Sequence, residues 1–270
     1  MKATLRYRAL FAAAIAGLIA AYMAVTLGDH RSRRETPTVR VLAGEIPPLV
    51  RGDGTGAEVD RLRALLSLEP GEALEVTVFP FSRHWRNFAA VERYDLIMTV
   101  PDGFDLGGWN SGAYVRYRNG LVYRRAAFPD GLGPDPLGRL QGRRVVGFAG
   151  AARLIGAVEA SRPGFALYLE RYSQHRQSAM LASGLADAVI AERSIIEFYL
   201  RETGADLSEF VFEPVFCPTR YVLAVRDGDL RDRLSGGVEA VDADALVRGG
   251  APGAGGRLGL RAPAIEECLQ

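Results

Sequence analysis

The order of hydrophobic and polar positions predicts strands that alternate with helices from residue 38 onward. Short β-branched or apolar runs are followed by stretches whose apolar residues recur at three- and four-residue spacing. The predicted strands are residues 38–43, 74–79, 95–100, 120–124, 144–148, 166–170, 187–191, 210–215 and 221–225. The predicted helices are residues 57–68, 85–91, 151–160, 177–185, 194–202 and 229–241. This alternation is typical of an α/β protein with parallel sheets.

The pattern also predicts two sheets and a tail outside them. Residues 94–100 (YDLIMTV) and 186–192 (ADAVIAE) both place an aspartate ahead of a short apolar strand. This recurrence favours two similar sheets over one continuous sheet. Residues 248–263 are rich in Gly, Ala, Pro and Arg, so we expect residues 248–270 to form a flexible tail.

The N-terminal 35 residues have a different pattern, which is typical of an export or anchoring segment. Residues 9–27 are uncharged and almost wholly apolar, and Lys2, Arg6 and Arg8 precede them. This apolar run is longer than the ~7–15 residues of a signal-peptide core and close to the ~20 that span a bilayer. We predict a signal peptide or an uncleaved inner-membrane anchor, with the rest of the chain in the periplasm.

Composition and charge exclude several classes of protein. With 48% hydrophobic and 24% charged residues, the 270-residue chain is too apolar for a disordered protein. A formal net charge of +1 argues against nucleic-acid binding. Residues 1–35 hold six basic and two acidic residues, so the remaining chain carries a net −3.

The candidates for metal, cofactor or nucleophilic chemistry are few. His30, His84 and His175 are far apart and have no acidic or Cys neighbours at ligand spacing, so we predict no metal and no cofactor. Residues 147–150 (GFAG) join a strand to a helix. Their N–H groups could hold an anion, or the segment could be an ordinary tight turn.

The local sequence pattern also gives two cysteines that are candidates for a disulfide and two aromatic residues that are candidates for ligand binding. Cys217 and Cys268 could pair in an oxidising compartment, or Cys217 could be a buried thiol and Cys268 a free one. Phe81 and Trp85 follow a predicted strand end, where open α/β sheets bind ligands, so their rings could stack on a solute. Each ring could equally belong to the core.

Six segments in order resemble the extracellular solute-binding proteins of family 3, which have the type II periplasmic-binding-protein fold. They are residues 56–60 (GAEVD), 94–99 (YDLIMT), 111–114 (SGAY), 140–147 (LQGRRVVG), 182–190 (ASGLADAVI) and 221–232 (YVLAVRDGDLRD). The resemblance implies a two-lobed clamp with two crossover hinge strands. Lobe 1 would contain residues 36–122 and 222–247, and lobe 2 residues 123–221.

The resemblance also implies a function: capture of an amino acid or small organic acid for an ABC-type transporter permease. Thr99 matches the hydroxyl that holds the ligand carboxylate, and Glu192 matches the acid that holds its ammonium group. The expected arginine is missing from residues 101–110, and the candidates to replace it are Arg153, near the start of a lobe 2 helix, and Arg116. The full ligand-binding set that we predict is Glu45, Phe81, Trp85, Thr99, Asp102, Arg153 and Glu192.

Two alternatives remain open. Residues 100–105 (VPDGFD) resemble a branch of the family associated with quinoprotein dehydrogenases, which implies a periplasmic accessory that binds a partner protein. The fold also hosts a cyclohexadienyl-type dehydratase, for which Glu45 and Glu192 are the candidate acids. We favour a binding protein over an enzyme.

Overall fold

The computed structural model describes residues 37–81, 83–249, 258–262 and 267–270. The strands are β1 (Thr38–Glu45), β2 (Ala73–Pro80), β3 (Leu96–Pro101), β4 (Trp109–Asn110), β5 (Val115–Tyr117), β6 (Asn119–Arg124), β7 (Arg144–Phe148), β8 (Leu167–Arg171), β9 (Ala188–Glu192), β10 (Phe210–Glu213), β11 (Thr219–Val225), β12 (Val241–Asp242) and β13 (Gly259–Leu260). The α-helices are α1 (Ala57–Leu66), α2 (Arg83–Ala90), α3 (Ala151–Leu154), α4 (Gly156–Ser161), α5 (Gln174–Ala182), α6 (Arg193–Glu202), α7 (Gly228–Leu234) and α8 (Ala243–Gly249). Short 3₁₀ helices occupy Arg125–Ala127, Gly138–Leu140, Arg162–Gly164 and Leu207–Glu209.

The strands form two sheets, each at the centre of one lobe. In lobe 1 the order is β12–β5–β11–β3–β1–β2, with β4 beside β11; in lobe 2 it is β13–β10–β6–β9–β7–β8. The α/β class and the two sheets are therefore confirmed. Both sheets are mixed rather than purely parallel, because β11 runs antiparallel to β3 and β6 runs antiparallel to β9.

Two short connections join the lobes and form the hinge. The chain leaves the first sheet at Arg118 and returns to it at Thr219. Asn119 Nδ2 donates a hydrogen bond of 3.3 Å to Thr219 Oγ1, which ties the two crossings together. Both crossings lie a few residues before the positions expected from the sequence, because β6 already pairs with β9 from Asn119 and β11 already pairs with β5 from Thr219.

Lobe 2 has a hydrophobic layer on each face of its sheet, as expected for strands covered on both sides. Leu121 and Ile190 belong to the layer on one face, whereas Val122 and Val189 belong to the layer on the other. This alternation follows from the two-residue repeat of a β-strand. It explains why these strands are continuous apolar runs in the sequence.

Two predicted helices are interrupted. The helix predicted over residues 229–241 ends at Leu234, and Gly236 and Gly237 follow it. Glycine is a poor helix former because it loses the most backbone freedom. The helix predicted over residues 151–160 is split at Ile155, which has extended backbone (φ −125°, ψ 94°).

The prediction of a tail outside the fold is wrong for its described residues. Strand β13 pairs in parallel with β10, and Leu269 pairs with Phe216. Cys217 and Cys268 form a disulfide. These residues therefore belong to lobe 2, and their Gly-rich composition concealed contacts that are distant in sequence.

The predicted export segment, residues 9–27, lies outside the described residues. Within the part of the chain that the structure describes, no helix is both long enough and apolar enough to cross a bilayer.

Glu58 is a buried acid at the centre of lobe 1. Its Oε1 accepts hydrogen bonds from Thr99 Oγ1 (2.6 Å) and from the Tyr114 hydroxyl, and its Oε2 accepts one from the Tyr117 hydroxyl (2.6 Å). Burial raises the pKa of Glu58, and the three hydroxyl donors oppose this effect. The carboxyl thus links α1 to β3 and to the strand that leads to the hinge.

We predict that Glu58→Ala destabilises the protein by about 3 kcal/mol or more, because it leaves three buried hydroxyls without their acceptor. Asp60→Ala, on the same helix, is the matched control. Asp60 is exposed and forms a surface ion pair with Arg63, so its loss should cost less than about 1 kcal/mol. Urea denaturation measures both, and equal losses would contradict the role of Glu58.

Candidate functional site

An inner cavity lies between the lobes, beside the hinge. Its walls are Ile46, Phe81, Tyr117 and Tyr221 from lobe 1, and Asn119, Phe148, Gln174, Glu192 and Ile195 from lobe 2. Side chains fill most of the space and leave a volume of about 10 Å³, which is room for about one water molecule.

Glu192 contributes a carboxylate with one free oxygen to this cavity. Its Oε2 caps helix α6 by accepting hydrogen bonds from Ile195 N (3.0 Å) and Ser194 Oγ (2.5 Å). Its Oε1 is buried and has no hydrogen-bond partner among the residues that the structure describes. Burial raises the pKa of Glu192 to about 7, although the two hydrogen bonds oppose the shift. A buried acceptor without a partner is costly, so this oxygen is suited to bind a ligand donor.

Phe81 reaches the cavity because β1 contains a glycine beside it. A Cβ on Gly44 would lie 2.8 Å from the Phe81 ring and 2.6 Å from His84. Trp85 follows one helical turn later, with its ring centroid 5.6 Å from that of Phe81, and its Nε1 donates to Thr99 O (3.1 Å). The aromatic residues after β2 are therefore fixed against lobe 1.

A larger outer groove, of about 570 Å³, lies between the lobes beyond Phe81. Its walls are Trp85, Arg86, Ala89, Phe104 and Leu106 from lobe 1, and Ala149, Gly150, Arg153, Glu170 and Tyr172 from lobe 2. Arg153 of lobe 2 lies over the Phe104 ring of lobe 1, with its guanidinium carbon 4.9 Å from the centroid.

The GFAG turn between β7 and α3 already holds a carboxylate, that of Glu170. Gly150 N donates to Glu170 Oε2 (2.8 Å), and Ala152 N donates to Oε1 (2.9 Å). The Tyr168 hydroxyl adds a third hydrogen bond of 3.0 Å. The sequence analysis suggested that this turn could hold an anion, and the chain itself supplies that anion.

Helix α6 holds the lobes together through apolar contacts. Ile195, with 2% of its surface exposed, belongs to the hydrophobic core of lobe 1, although α6 follows a lobe 2 strand. Tyr199 packs against the same core one helical turn later. The lobes are therefore closed by the chain's own side chains.

Four of the seven predicted site residues line the space between the lobes. Phe81 and Glu192 line the inner cavity, and Trp85 and Arg153 line the outer groove. The prediction of Phe81 and Trp85 rests on their position after a strand end, and that of Glu192 and Arg153 rests on the family resemblance.

The other three predicted residues lie elsewhere. Thr99 is fully buried in lobe 1, where it donates to Glu58. Asp102 is at the surface, 3.5 Å from Arg220. Glu45 is exposed at the end of β1.

Sequence reasoning missed Glu170 and the two tyrosines of the inner cavity. Glu170 ends β8, which runs parallel to β7, so its position beside the GFAG turn could have been expected from strand pairing. Tyr117 and Tyr221 could have been expected from their positions next to the two crossings between the lobes, where the cavity lies.

Comparisons with solved structures identify the fold. A histidine kinase sensor domain described as similar to periplasmic binding proteins superposes with a TM-score of 0.59 at 20% identity, covering 75% of this chain and 90% of that one. A histidine-bound substrate-binding protein of an ABC uptake transporter from Streptococcus pneumoniae gives 0.57 at 14% identity, with 74% and 86% covered. The fold is that of the periplasmic binding proteins.

A third structure of the same kind supports this fold. Arginine-bound, truncated ArgBP from T. maritima superposes with a TM-score of 0.56 at 20% identity, covering 74% of this chain and 93% of that one. No protein-family model and no curated protein matches the chain. At these identities the periplasmic-binding-protein fold defines the architecture, and the ligand must be inferred from the site.

We predict that Glu192→Gln changes stability in a pH-dependent manner. The folded-state pKa of about 7 lies above the ordinary value near 4.5. Between these pH values the folded protein therefore keeps a proton on Glu192 that the unfolded chain has released. The free energy of unfolding therefore falls as pH rises through this range. Gln at position 192 does not titrate, so the variant does not lose this stability. Relative to the parent, the variant should gain about 3 kcal/mol between pH 4 and pH 8.

Urea denaturation at both pH values measures this gain. Glu92→Gln, at an exposed position, is the control and should differ from the parent equally at both. A Glu192→Gln variant with the same constant difference would show that Glu192 does not titrate as described.

Proposed function

We propose that the protein binds a small cation, an ammonium ion of one or two heavy atoms, in the inner cavity. The observation that carries the proposal is the buried, unpartnered Oε1 of Glu192. A bound N–H donor would satisfy this oxygen, and a positive charge would favour the ionised carboxylate. The limited room sets the size of the solute.

The rest of the cavity suits a cation. The rings of Phe81, Tyr117, Phe148 and Tyr221 line it, and aromatic faces attract ammonium groups. The side-chain amide of Gln174 adds a further oxygen to the wall. Aromatic rings around one carboxylate favour a compact cation over an anion or a neutral solute.

The same site is poorly suited to the carboxylate of an α-amino acid. Residues 101–110 contain no arginine. The N–H groups of Gly150 and Ala152 already bind Glu170. The solute we propose therefore needs an ammonium group but no carboxylate.

We propose that the bound solute is passed to a membrane permease of the ABC type or to a sensor on the periplasmic side. The predicted export segment and the Cys217–Cys268 disulfide support an oxidising compartment. The structure-related proteins are described as transporter substrate-binding proteins and a sensor domain, which supports binding without catalysis.

Isothermal titration calorimetry with methylammonium tests the proposal, with methanol as the neutral solute of equal heavy-atom number. We expect methylammonium to bind and methanol not to bind. Glu192→Gln should weaken methylammonium at least 30-fold, because it removes the buried charge. Glu92→Gln, which changes an exposed acid that does not line the cavity, should bind like the parent.

Equal binding of methanol, or equal loss in the two variants, would contradict a cation site at Glu192. Binding that increases from pH 6 to pH 8 is also expected, because Glu192 ionises in this range. A flat profile would contradict the same site.

A second candidate is the accessory role that residues 100–105 suggest. The observation that favours it is closure without a solute, through the packing of Ile195 and Tyr199 against the core of lobe 1. A clamp closed in this way could present a fixed surface to a partner protein. Affinity purification from a native periplasmic extract should then recover a quinoprotein dehydrogenase, and recovery of the protein alone would count against this role.

The dehydratase alternative has one supporting feature. Glu192 has a pKa of about 7, which suits a general acid. An inner cavity with room for about one water molecule does not admit a ring-sized substrate beside that acid. We therefore prefer binding to catalysis.

A further inference from the structure

We propose that the outer groove is a second binding site, for aromatic carboxylates. The inference rests on residues that take no part in the proposed amine site and goes beyond that function. Its basis is the juxtaposition of aromatic side chains from both lobes with two arginines in one groove of about 570 Å³.

The aromatic side chains come from opposite sides of the groove. The rings of Trp85 and Phe104 lie edge to face in lobe 1, with centroids 5.6 Å apart. Tyr172 of lobe 2 also lines the groove and has 56% of its surface exposed. A planar ring bound in the groove would cover apolar surface on these residues.

The VPDGFD segment fixes the position of Phe104. Gly103 adopts φ +87°, which favours glycine, and Phe104 N donates to Pro101 O (3.0 Å) to close the turn. Asn110 Nδ2 donates to Phe104 O (3.1 Å). The segment that distinguishes this sequence thus has a structural role at the rim of the groove.

The groove also offers cations without acidic partners. Arg86 and Arg153 both line it, and in the described part of the chain neither forms an ion pair or a hydrogen bond. The acid on the same wall, Glu170, already accepts hydrogen bonds from two backbone N–H groups and the Tyr168 hydroxyl. The two arginines outnumber this acid, so the groove lining has a formal net charge of +1, and a guanidinium binds a carboxylate with two parallel hydrogen bonds.

The size of the groove agrees with this ligand class. Sites for small organic molecules commonly measure roughly 300–1,000 Å³ and combine apolar walls with a few polar groups. An aromatic ring with one carboxylate would contact both the aromatic side chains and the arginines, whereas an aliphatic acid would contact only the arginines. We therefore infer an aromatic acid rather than a simple inorganic anion.

Fluorescence of Trp85 tests the proposal in the full chain, with Trp109→Phe removing the other tryptophan. Titration with benzoate should change the Trp85 emission with a saturable profile, whereas benzyl alcohol and benzylamine should not. Arg153→Gln and Arg86→Gln should each weaken benzoate at least 10-fold. Arg63→Gln is the matched control, because Arg63 pairs with Asp60 on helix α1 and does not line the groove, and should bind like the parent.

Absence of a saturable change with benzoate would overturn the proposal, and so would equal binding of benzylamine or unchanged affinity in both groove variants. Both arginines are exposed, so their replacement leaves the core intact. The Glu192→Gln variant should retain benzoate binding in full. Loss of benzoate binding in that variant would show that the groove is not a separate site.

Discussion

One carboxylate, that of Glu192, links the closure of the two lobes to the cavity between them. Its Oε2 caps α6, the helix whose Ile195 packs in the core of lobe 1. Burying one Ile side chain contributes about 1.5–3 kcal/mol, and a helix cap about 1 kcal/mol. Glu192 lines the cavity, and its buried Oε1 accepts no hydrogen bond from the part of the chain that the structure describes. Any donor bound there acts on the group that orients the closing helix.

Because the chain's own side chains close the lobes, a ligand has less effect on the equilibrium between open and closed states. A ligand shifts an equilibrium only by its difference in affinity for the two states. Because Ile195 and Tyr199 of α6 pack against the core of lobe 1, a solute at Glu192 adds to a closed state that is populated without it. The cavity then selects by charge and size, and the outer groove, which both lobes line, remains available to a larger molecule.

The alternating pattern predicted the α/β class, the two sheets and the strand ends that carry Phe81 and Glu192, because these depend on local periodicity. Features that depend on distant partners were not predictable. Glu170 reaches the GFAG turn across a strand pair, and Cys268 reaches Cys217 over 51 positions. The prediction that Thr99 lies in the ligand site failed for a different reason. Thr99 has φ +56°, and the register of its strand with β11 shifts nearby. Such a bulge changes the direction in which a side chain points.

The distance between the lobes without solute tests the central claim most directly. Nitroxide labels at Glu92→Cys in lobe 1 and Arg176→Cys in lobe 2 occupy exposed positions, and the native cysteines are paired. Pulsed electron paramagnetic resonance should give a single distance that methylammonium leaves unchanged, and Ile195→Asp should lengthen and broaden it. A long distance in the solute-free protein that shortens only when methylammonium is added would contradict closure by helix α6.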